Sequence, residues 1–382
     1  MEIENPNYES QVGRSVYPWH VDAWEQFNLE SLPQAILLHG QAGIGKLDFA
    51  LELSQAILCE ADLFSSGVKP CKECQACRWF ETANHPDFIG LVPALYQHRM
   101  PHAELEGMPK PEVEEVEDKE EGDGKKESAF IKIEQVRRAI EAINVGTHRG
   151  GQRVVLIYPL EGLRPDAANT LLKSLEEPNT QTIFILLSDR LDRVLPTIRS
   201  RCQLIALPKP QRAIALQWLS THLGSLSEQK ISSEEIEASL DEQGGAPLAA
   251  KEVILARRLS DDKDSMALAS SATRLLLEAL SKGRDIPWID CAEKIHKAPF
   301  GILLACMQRW LFDIQSAKQA GEARYYRRHE KHVQALAQQV NMNKLLKLWK
   351  LVLLARRHEN HPLSTRVQLE SLLLQYQQLF AD

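Results

Sequence analysis

Apolar residues in the first half of the chain form short continuous runs that are separated by stretches with helical spacing. The runs are 34–39, 153–157 and 182–187, and the helical stretches are 46–58, 133–143 and 166–176. Short apolar runs predict buried strands, and strands that alternate with helices are typical of a parallel sheet covered by helices. The pattern therefore predicts an α/β domain with a parallel sheet.

The second half of the chain carries no strand signal. Beyond Pro208 the apolar residues recur at helical intervals to the end of the sequence, and a Gly-Gly-Ala-Pro turn at 244–247 and a charged break at 261–264 interrupt the pattern. We place domain boundaries near residues 208 and 262. The predicted domains are an α/β domain at 1–208, a small helical domain at 209–262 and a larger all-helical domain at 263–382.

The negative charge of the chain is concentrated in one segment. The formal net charge is -7, and residues 112–127, with nine acidic residues and three lysines, account for -6 of it. The rest is nearly neutral, which argues against a protein that binds nucleic acid through overall positive charge. The stretch from about 97 to 128 is rich in Glu, Pro, Gly and Lys, so we predict a mobile acidic loop there.

The chain shows no signal for a membrane or for secretion. No window approaches the roughly 18 apolar residues of a membrane span. The amino-terminal residues MEIENPNYES lack the basic and apolar regions of a signal peptide. We therefore expect a cytoplasmic protein.

A glycine-rich segment, Gly40-Gln-Ala-Gly-Ile-Gly-Lys46, lies between the first predicted strand and the helix that follows it. This is the context of a phosphate-binding loop, in which Gly40, Gly43 and Gly45 permit close backbone approach and Lys46 reaches the outer phosphates. The next residue should be Ser or Thr to bind Mg²⁺, but it is Leu47. Two interpretations remain open: a loop that still binds nucleotide, and a relic of one.

A second requirement for ATP hydrolysis is also missing. The strand at 153–157 should end in a metal-binding Asp, usually followed by Glu. Tyr158-Pro-Leu160 occupies that place, and Glu161 comes too late. With the hydroxyl and the acidic pair both absent, we predict no intrinsic ATPase activity.

Four of the seven cysteines, Cys59, Cys71, Cys74 and Cys77, lie within one short stretch. In a reducing cytoplasm such a cluster favours a metal over disulfides. Four thiolates around tetrahedral Zn²⁺ form a closed structural site with no open position for catalysis. The alternatives are free cysteines, or His85 in place of one ligand, although His85-Pro-Asp87 is better explained as a turn.

Ser200-Arg201-Cys202 follows the third apolar run and a helical stretch at 193–199. An arginine here can act as a finger that stabilises the transferring phosphate in the site of a neighbouring subunit. The alternative is a surface arginine that forms a salt bridge.

Six motifs occur in a fixed order along the chain: Tyr17-Pro-Trp19, the Gly40 to Lys46 loop, the four cysteines, Asn84-His-Pro-Asp87, Ala168-Asn-Thr-Leu-Leu-Lys173 leading to Leu175-Glu-Glu-Pro178, and Ser200-Arg-Cys202. Together they resemble the clamp-loader family of bacterial DNA polymerase III, which belongs to the AAA+ proteins. The resemblance is continuous over about residues 15–210. Beyond that it is weaker and depends on helical character and on the Gly245-Ala-Pro turn.

The resemblance implies an AAA+-type P-loop domain, a small helical lid domain and an all-α collar domain that assembles with other subunits. In active members the lid supplies an arginine after a Gly-Ser turn, whereas Gly245-Ala-Pro-Leu248 places a leucine there. The resemblance therefore implies a structural subunit whose Arg201 serves the ATP of a neighbour. The implied partners are the ATPase (gamma/tau) subunits, the clamp-opening delta subunit, the sliding clamp and primed DNA.

Two other functions remain open at this stage. Lys46 is the one residue that supports an active P-loop ATPase. The cysteines from Cys59 to Cys77, with Trp79 and Phe80 nearby as stacking groups, would suit a zinc-dependent nucleic-acid-binding module, but few basic residues accompany them.

Overall fold

The protein forms two compact units, Met1–Lys209 and Pro210–Asp382. In the computed structural model the described residues are 16–61, 69–100, 130–177, 181–224, 231–258, 265–357 and 364–380. The predicted boundary near 262 and residues 101–128 of the acidic loop predicted at about 97–128 lie outside these residues. The division into three domains therefore stays a prediction. The first residues of the predicted acidic loop, 97–99, belong to a 3-10 helix, Ala94–Arg99.

A five-stranded parallel sheet forms the centre of the first unit, as the alternation of strands and helices predicts. The strands are β1 Ala35–His39, β2 Phe88–Leu91, β3 Arg153–Ile157, β4 Thr182–Ser188 and β5 Gln203–Ala206. They lie in the order β2-β3-β4-β1-β5, and each neighbouring pair is parallel. The three central strands are buried along almost their whole length, which explains their continuous apolar runs.

The sequence pattern missed both edge strands, β2 and β5. Each has four residues, and β5 is exposed or half-exposed throughout. An edge strand pairs on one side only, so it needs no long apolar run and gives a weak sequence signal.

Helices cover the sheet, and three of them agree closely with the predicted stretches 46–58, 133–143 and 166–176. The helix after the glycine-rich loop begins at Lys46 and is buried on most sides, because it packs under the sheet. The predicted helical stretch at 193–199 is shorter than expected: Leu191–Arg193 form a 3-10 turn, and a one-turn helix begins at Pro196, since the residue before a proline disfavours helix. The described helices of this unit are α1 Val21–Glu25, α2 Lys46–Leu58, α3 Gln75–Glu81, α4 Ile133–Asn144, α5 Pro165–Glu176 and α6 Pro196–Arg199.

The second unit is entirely helical in the residues that the structure describes, as the sequence predicts. Its core contains a buried chain of hydrogen bonds: Trp310 Nε1 donates to Tyr376 Oη at 2.9 Å, and Tyr376 donates to the Leu280 carbonyl at 2.8 Å. The helices are α7 Arg212–Gly224, α8 Ser233–Glu242, α9 Pro247–Arg258, α10 Ser265–Leu280, α11 Trp288–Ile295, α12 Phe300–Ala320, α13 Glu330–Gln339, α14 Met342–Arg357 and α15 Thr365–Gln377.

The α/β P-loop domain with a parallel sheet and the helical second part are thus as predicted. Among the helices that the structure describes, none is both long and apolar enough to cross a membrane.

Candidate functional site

The glycine-rich loop connects the end of β1 to the start of α2, so its backbone lies at the carboxyl edge of the sheet. Two of its glycines are required by close contacts. A Cβ at Gly45, which has a φ of 89°, would lie 2.2 Å from a ring carbon of Tyr17, and a Cβ at Gly40 would lie 2.7 Å from the Leu207 carbonyl oxygen. The predicted glycines Gly40, Gly43 and Gly45 and Lys46 therefore belong to one tightly packed loop.

Lys46 is directed at groups of the protein itself. Its Nζ lies 2.5 Å from Asp189 Oδ1, as an ion pair rather than an aligned hydrogen bond, and it donates to the Gln41 carbonyl at 2.6 Å. The lysine side chain is only 2% exposed. The charge of Lys46 is therefore neutralised internally.

The positions that should bind a metal hold groups that cannot do so. Leu47 is buried at the first turn of α2, where a hydroxyl is required. Tyr158 follows β3 and donates its phenolic hydrogen to Asp189 Oδ2 at 3.3 Å. Burial and the neighbouring charge of Asp189 raise the pKa of Tyr158, so the phenol stays protonated.

Glu161 is engaged at the end of β4. Its Oε1 accepts a hydrogen bond from Ser188 Oγ at 2.7 Å and another from the backbone N–H of Arg190. Burial raises the pKa of Glu161. Glu161, the first acidic residue after β3 in the sequence, therefore holds the turn that follows β4.

The four predicted cysteines come together in space. Cys59 lies at the end of α2 and Cys74 begins α3. The Sγ atoms of Cys59 and Cys74 are 3.9 Å apart, as are those of Cys71 and Cys77, and all four lie within 4.8 Å of one another. Four ligands at the usual Zn–S length define a tetrahedron with edges of roughly 3.8 Å. The cluster therefore has the dimensions of a tetrahedral metal site.

Backbone N–H groups point at three of these sulfurs, as they do in thiolate sites. Cys71 donates to Cys59 Sγ, Cys74 to Cys71 Sγ and Cys77 to Cys74 Sγ, at 3.3 to 3.5 Å. Although burial acts against it, such bonds lower the pKa of Cys71 to about 7, whereas burial raises the pKa values of Cys59 and Cys77. Four thiolates this close would repel one another, so their full deprotonation requires a cation among them.

His85 does not join the cysteines. Its Nδ1 accepts a hydrogen bond from the backbone N–H of Asp87 at 3.1 Å, so Asn84-His-Pro-Asp87 forms a turn. Asp87 also forms an ion pair with Arg153, and among the described residues of this unit no other ion pair is as deeply buried on both sides.

Arg201 lies apart from both of these sites, between α6 and β5. Its Nη1 donates to the Thr197 carbonyl at 2.8 Å, and its Nη2 pairs with Glu176 at the end of α5. The side chain is 32% exposed. The two Nη atoms are therefore held by the protein, while about a third of the Arg201 side chain stays exposed.

Sequence reasoning missed two residues of these sites, Asp189 and Glu176. A signal for Asp189 did exist: it is the first charged residue after the run that forms β4, and the carboxyl ends of parallel strands meet at one edge of the sheet. Glu176 belongs to a motif that the sequence singled out, but nothing in the sequence connects it to Arg201.

Comparison with known proteins finds similarity to subunits of DNA polymerase III. A family model described as DNA polymerase III, delta subunit, matches residues 23–211. The chain is 33% identical over 237 residues to the DNA polymerase III subunit delta' of Pseudomonas aeruginosa, covering 62% of this chain and 60% of that protein. It is 28% identical to the delta' subunit of Escherichia coli, covering 61% of this chain and 59% of that protein. The matches thus span about three fifths of the length of these curated relatives.

Solved structures resemble the chain at low sequence identity. A DNA polymerase III gamma subunit-related protein from Thermotoga maritima aligns with 92% of this chain and 97% of its own, at 14% identity and a TM-score of 0.43. The family assignment rests on the sequence relatives.

Proposed function

This chain belongs to the DNA polymerase III delta' family, and we propose that it works in the clamp loader as a subunit that does not hydrolyse ATP. In this proposal it supplies Arg201 to the ATP site of an adjacent subunit and helps the assembly to load a sliding clamp onto primed DNA. The chain thus acts in DNA replication as part of the polymerase holoenzyme, in the cytoplasm. Nucleotide turnover belongs to its neighbours.

The contacts of Lys46 support the first part of this proposal, that the chain does not hydrolyse ATP. A working phosphate-binding lysine must direct its Nζ at the nucleotide, and Mg²⁺ must be held by a hydroxyl and an Asp nearby. Here Nζ pairs with Asp189, and Leu47 and Tyr158 stand in the metal-binding positions. Leu248, at the start of α9, replaces the arginine that active members carry. These four features disfavour an active P-loop ATPase.

The contacts and exposure of Arg201 support the second part of the proposal, that this residue acts in the ATP site of an adjacent subunit. A guanidinium has a planar fork of donors that suits phosphate oxygens, and a finger must be both oriented and accessible. Thr197 and Glu176 orient Arg201, and about a third of its side chain remains exposed. Because the pair with Glu176 is partly exposed, a phosphate group can compete for the same donors at small cost.

The helical second unit offers a surface for assembly. On α14 four leucines are exposed, with Lys347 and Lys350 among them. A helix that leaves this much apolar surface uncovered is typical of an interface. We propose that this surface, formed by Leu346, Leu351, Leu353 and Leu354, packs against the gamma/tau ATPase subunits or the delta subunit in the collar of the loader.

We further propose that the ion held by the four cysteines is Zn²⁺. The thiolate set and the edge length of the cluster suit this metal, and four protein ligands leave no position for a substrate. The ion would connect the end of α2 to the start of α3. Its role is structural.

The proposal is tested in a loader reconstituted from purified subunits with this chain as either wild type or Arg201→Ala. We expect the variant to assemble normally, while ATP turnover stimulated by the clamp and primed DNA falls by about 10³-fold at the affected site. The matched control is Arg212→Ala, which removes another exposed arginine that is paired with acidic residues. Turnover that is equal in the two variants would show that Arg201 is a surface salt-bridge residue.

A further inference from the structure

The phosphate end of the glycine-rich loop already contains an anion, which the protein itself supplies. Asp189 Oδ1 lies 2.5 Å from Lys46 Nζ, and the same nitrogen donates to the Gln41 carbonyl at 2.6 Å. Lys46 is almost fully buried, so its ammonium meets these groups rather than water. An outer phosphate of a nucleotide would need the same nitrogen.

Neighbouring strands hold Asp189 in this place. It directly follows β4, which pairs with β1 and with β3, and the loop continues from β1. Tyr158 directly follows β3 and donates to the second oxygen of Asp189 at 3.3 Å. In an ATP-hydrolysing P-loop protein the residue at the end of β3 is the metal-binding Asp. In this chain the carboxylate stands one strand away, and the phenol at the end of β3 is its hydrogen-bond donor.

The amino-terminal segment closes over the same loop. Tyr17 covers Gly45 so closely that an added Cβ would lie 2.2 Å from its ring. Trp19 Nε1 donates to the Ile44 carbonyl at 2.9 Å, and the rings of Tyr17 and Trp19 stack with centroids 4.9 Å apart. The amino-terminal segment therefore packs directly against the loop at Ile44 and Gly45, and the lysine of the loop is paired with Asp189.

We propose that Asp189 is a built-in occupant of the phosphate site, which excludes phosphate and ties the loop to β3 and β4 in place of a nucleotide. A phosphate at Lys46 would put a second anion beside the Asp189 carboxylate with one lysine to neutralise both, and like charges at such distances repel strongly. This inference rests on the proposed function, because a subunit that serves a neighbour's ATP must keep its shape without nucleotide of its own.

The first experiment measures binding of tripolyphosphate and of Mg²⁺-free ATP to the full chain by titration calorimetry. The variant Asp189→Asn keeps the shape of the side chain and removes its charge, so we expect it to bind at least about tenfold more tightly than wild type. Adding Lys46→Met to the variant should abolish this gain. The control Asp192→Asn neutralises an exposed carboxylate three residues away and should bind as wild type does.

Two results would overturn the inference: tight binding of polyphosphate by the wild-type chain, or a folded Asp189→Asn variant with no gain. If the variant does not fold, hydrogen exchange of the wild-type chain decides the question. The amides of residues 40–46 should then exchange equally with and without about 1 mM tripolyphosphate, and protection by the ligand would refute the inference. Loader turnover that depends on Arg201 is measured separately, so a failure here is distinguishable from a failure of the proposed function.

Discussion

We expect the stability of the first unit to be especially sensitive to substitutions in the buried ion pair between Asp87 and Arg153. Arg153 begins β3 and Asp87 precedes β2, and their side chains are 3% and 1% exposed. Asp87 Oδ1 accepts from Arg153 Nη2 at 3.1 Å, and the carboxylate also accepts from the backbone N–H groups of His148 at 2.9 Å and Arg149 at 3.1 Å. The substitution Asp87→Asn removes the charge and leaves the shape.

The expected loss follows from what remains after the substitution. The guanidinium stays buried, and three backbone carbonyls of residues 142–146 still accept its hydrogen bonds, but no carboxylate balances its charge. Removing one partner of a buried pair costs about 3–5 kcal/mol, and the remaining bonds favour the lower figure. For a unit of this size about 3 kcal/mol corresponds to a fall in Tm of about 6–12 °C.

Differential scanning calorimetry of the full chain measures this fall. The control is Asp192→Asn, the same substitution at a carboxylate that is 67% exposed and lies 3.0 Å from Arg190. We expect it to cost less than about 1 kcal/mol. Equal melting temperatures for the two variants would refute the claim that burial makes the pair with Arg153 important.

Three further predictions concern His20, Asp313 and the cysteine cluster. Burial and the charge of Lys46 lower the pKa of His20 to about 4, so the stability that its neutral ring provides is complete above about pH 6.5 and is lost as the pH falls through about 4. Between pH 7 and pH 5 the free energy of unfolding from urea titrations should therefore fall by about 2 kcal/mol less in His20→Phe than in wild type. The same pH dependence in both proteins would contradict this. Asp313 accepts hydrogen bonds from the backbone N–H groups of residues 324–326, so Asp313→Ala should lower the free energy of unfolding by about 3 kcal/mol, whereas a loss below about 1 kcal/mol would show that these bonds contribute little. Elemental analysis should find about one zinc per wild-type chain and much less in Cys74→Ser, and a metal-free wild-type protein would rule out the site.

The elements that the sequence predicted best are those whose own residues decide their structure. The helix Lys46–Leu58 agrees with its predicted bounds, because a glycine-rich loop fixes its start and its apolar spacing continues to its end. The central strands were predictable because strands that are buried on both faces carry continuous apolar runs. The cysteine cluster was predictable because the two-residue spacings between Cys71, Cys74 and Cys77 are typical of a metal-binding turn.

The contacts that the sequence did not predict join residues that are distant along the chain. Asp189 meets Lys46 because the strand order puts β4 beside β1, and a sequence pattern predicts strands but not their order. Glu176 meets Arg201 across 25 positions for a similar reason. The two features that define the proposed function, a neutralised lysine and an oriented arginine, therefore depend on topology.

The most direct test of the account compares two substitutions in the same reconstituted loader, Lys46→Met and Arg201→Ala. If the chain acts on a neighbour's nucleotide and uses none of its own, Lys46→Met leaves ATP turnover stimulated by clamp and DNA unchanged, while Arg201→Ala abolishes the turnover of the adjacent site. Loss of turnover in a folded, assembled Lys46→Met loader, with Arg201→Ala unaffected, would contradict the account.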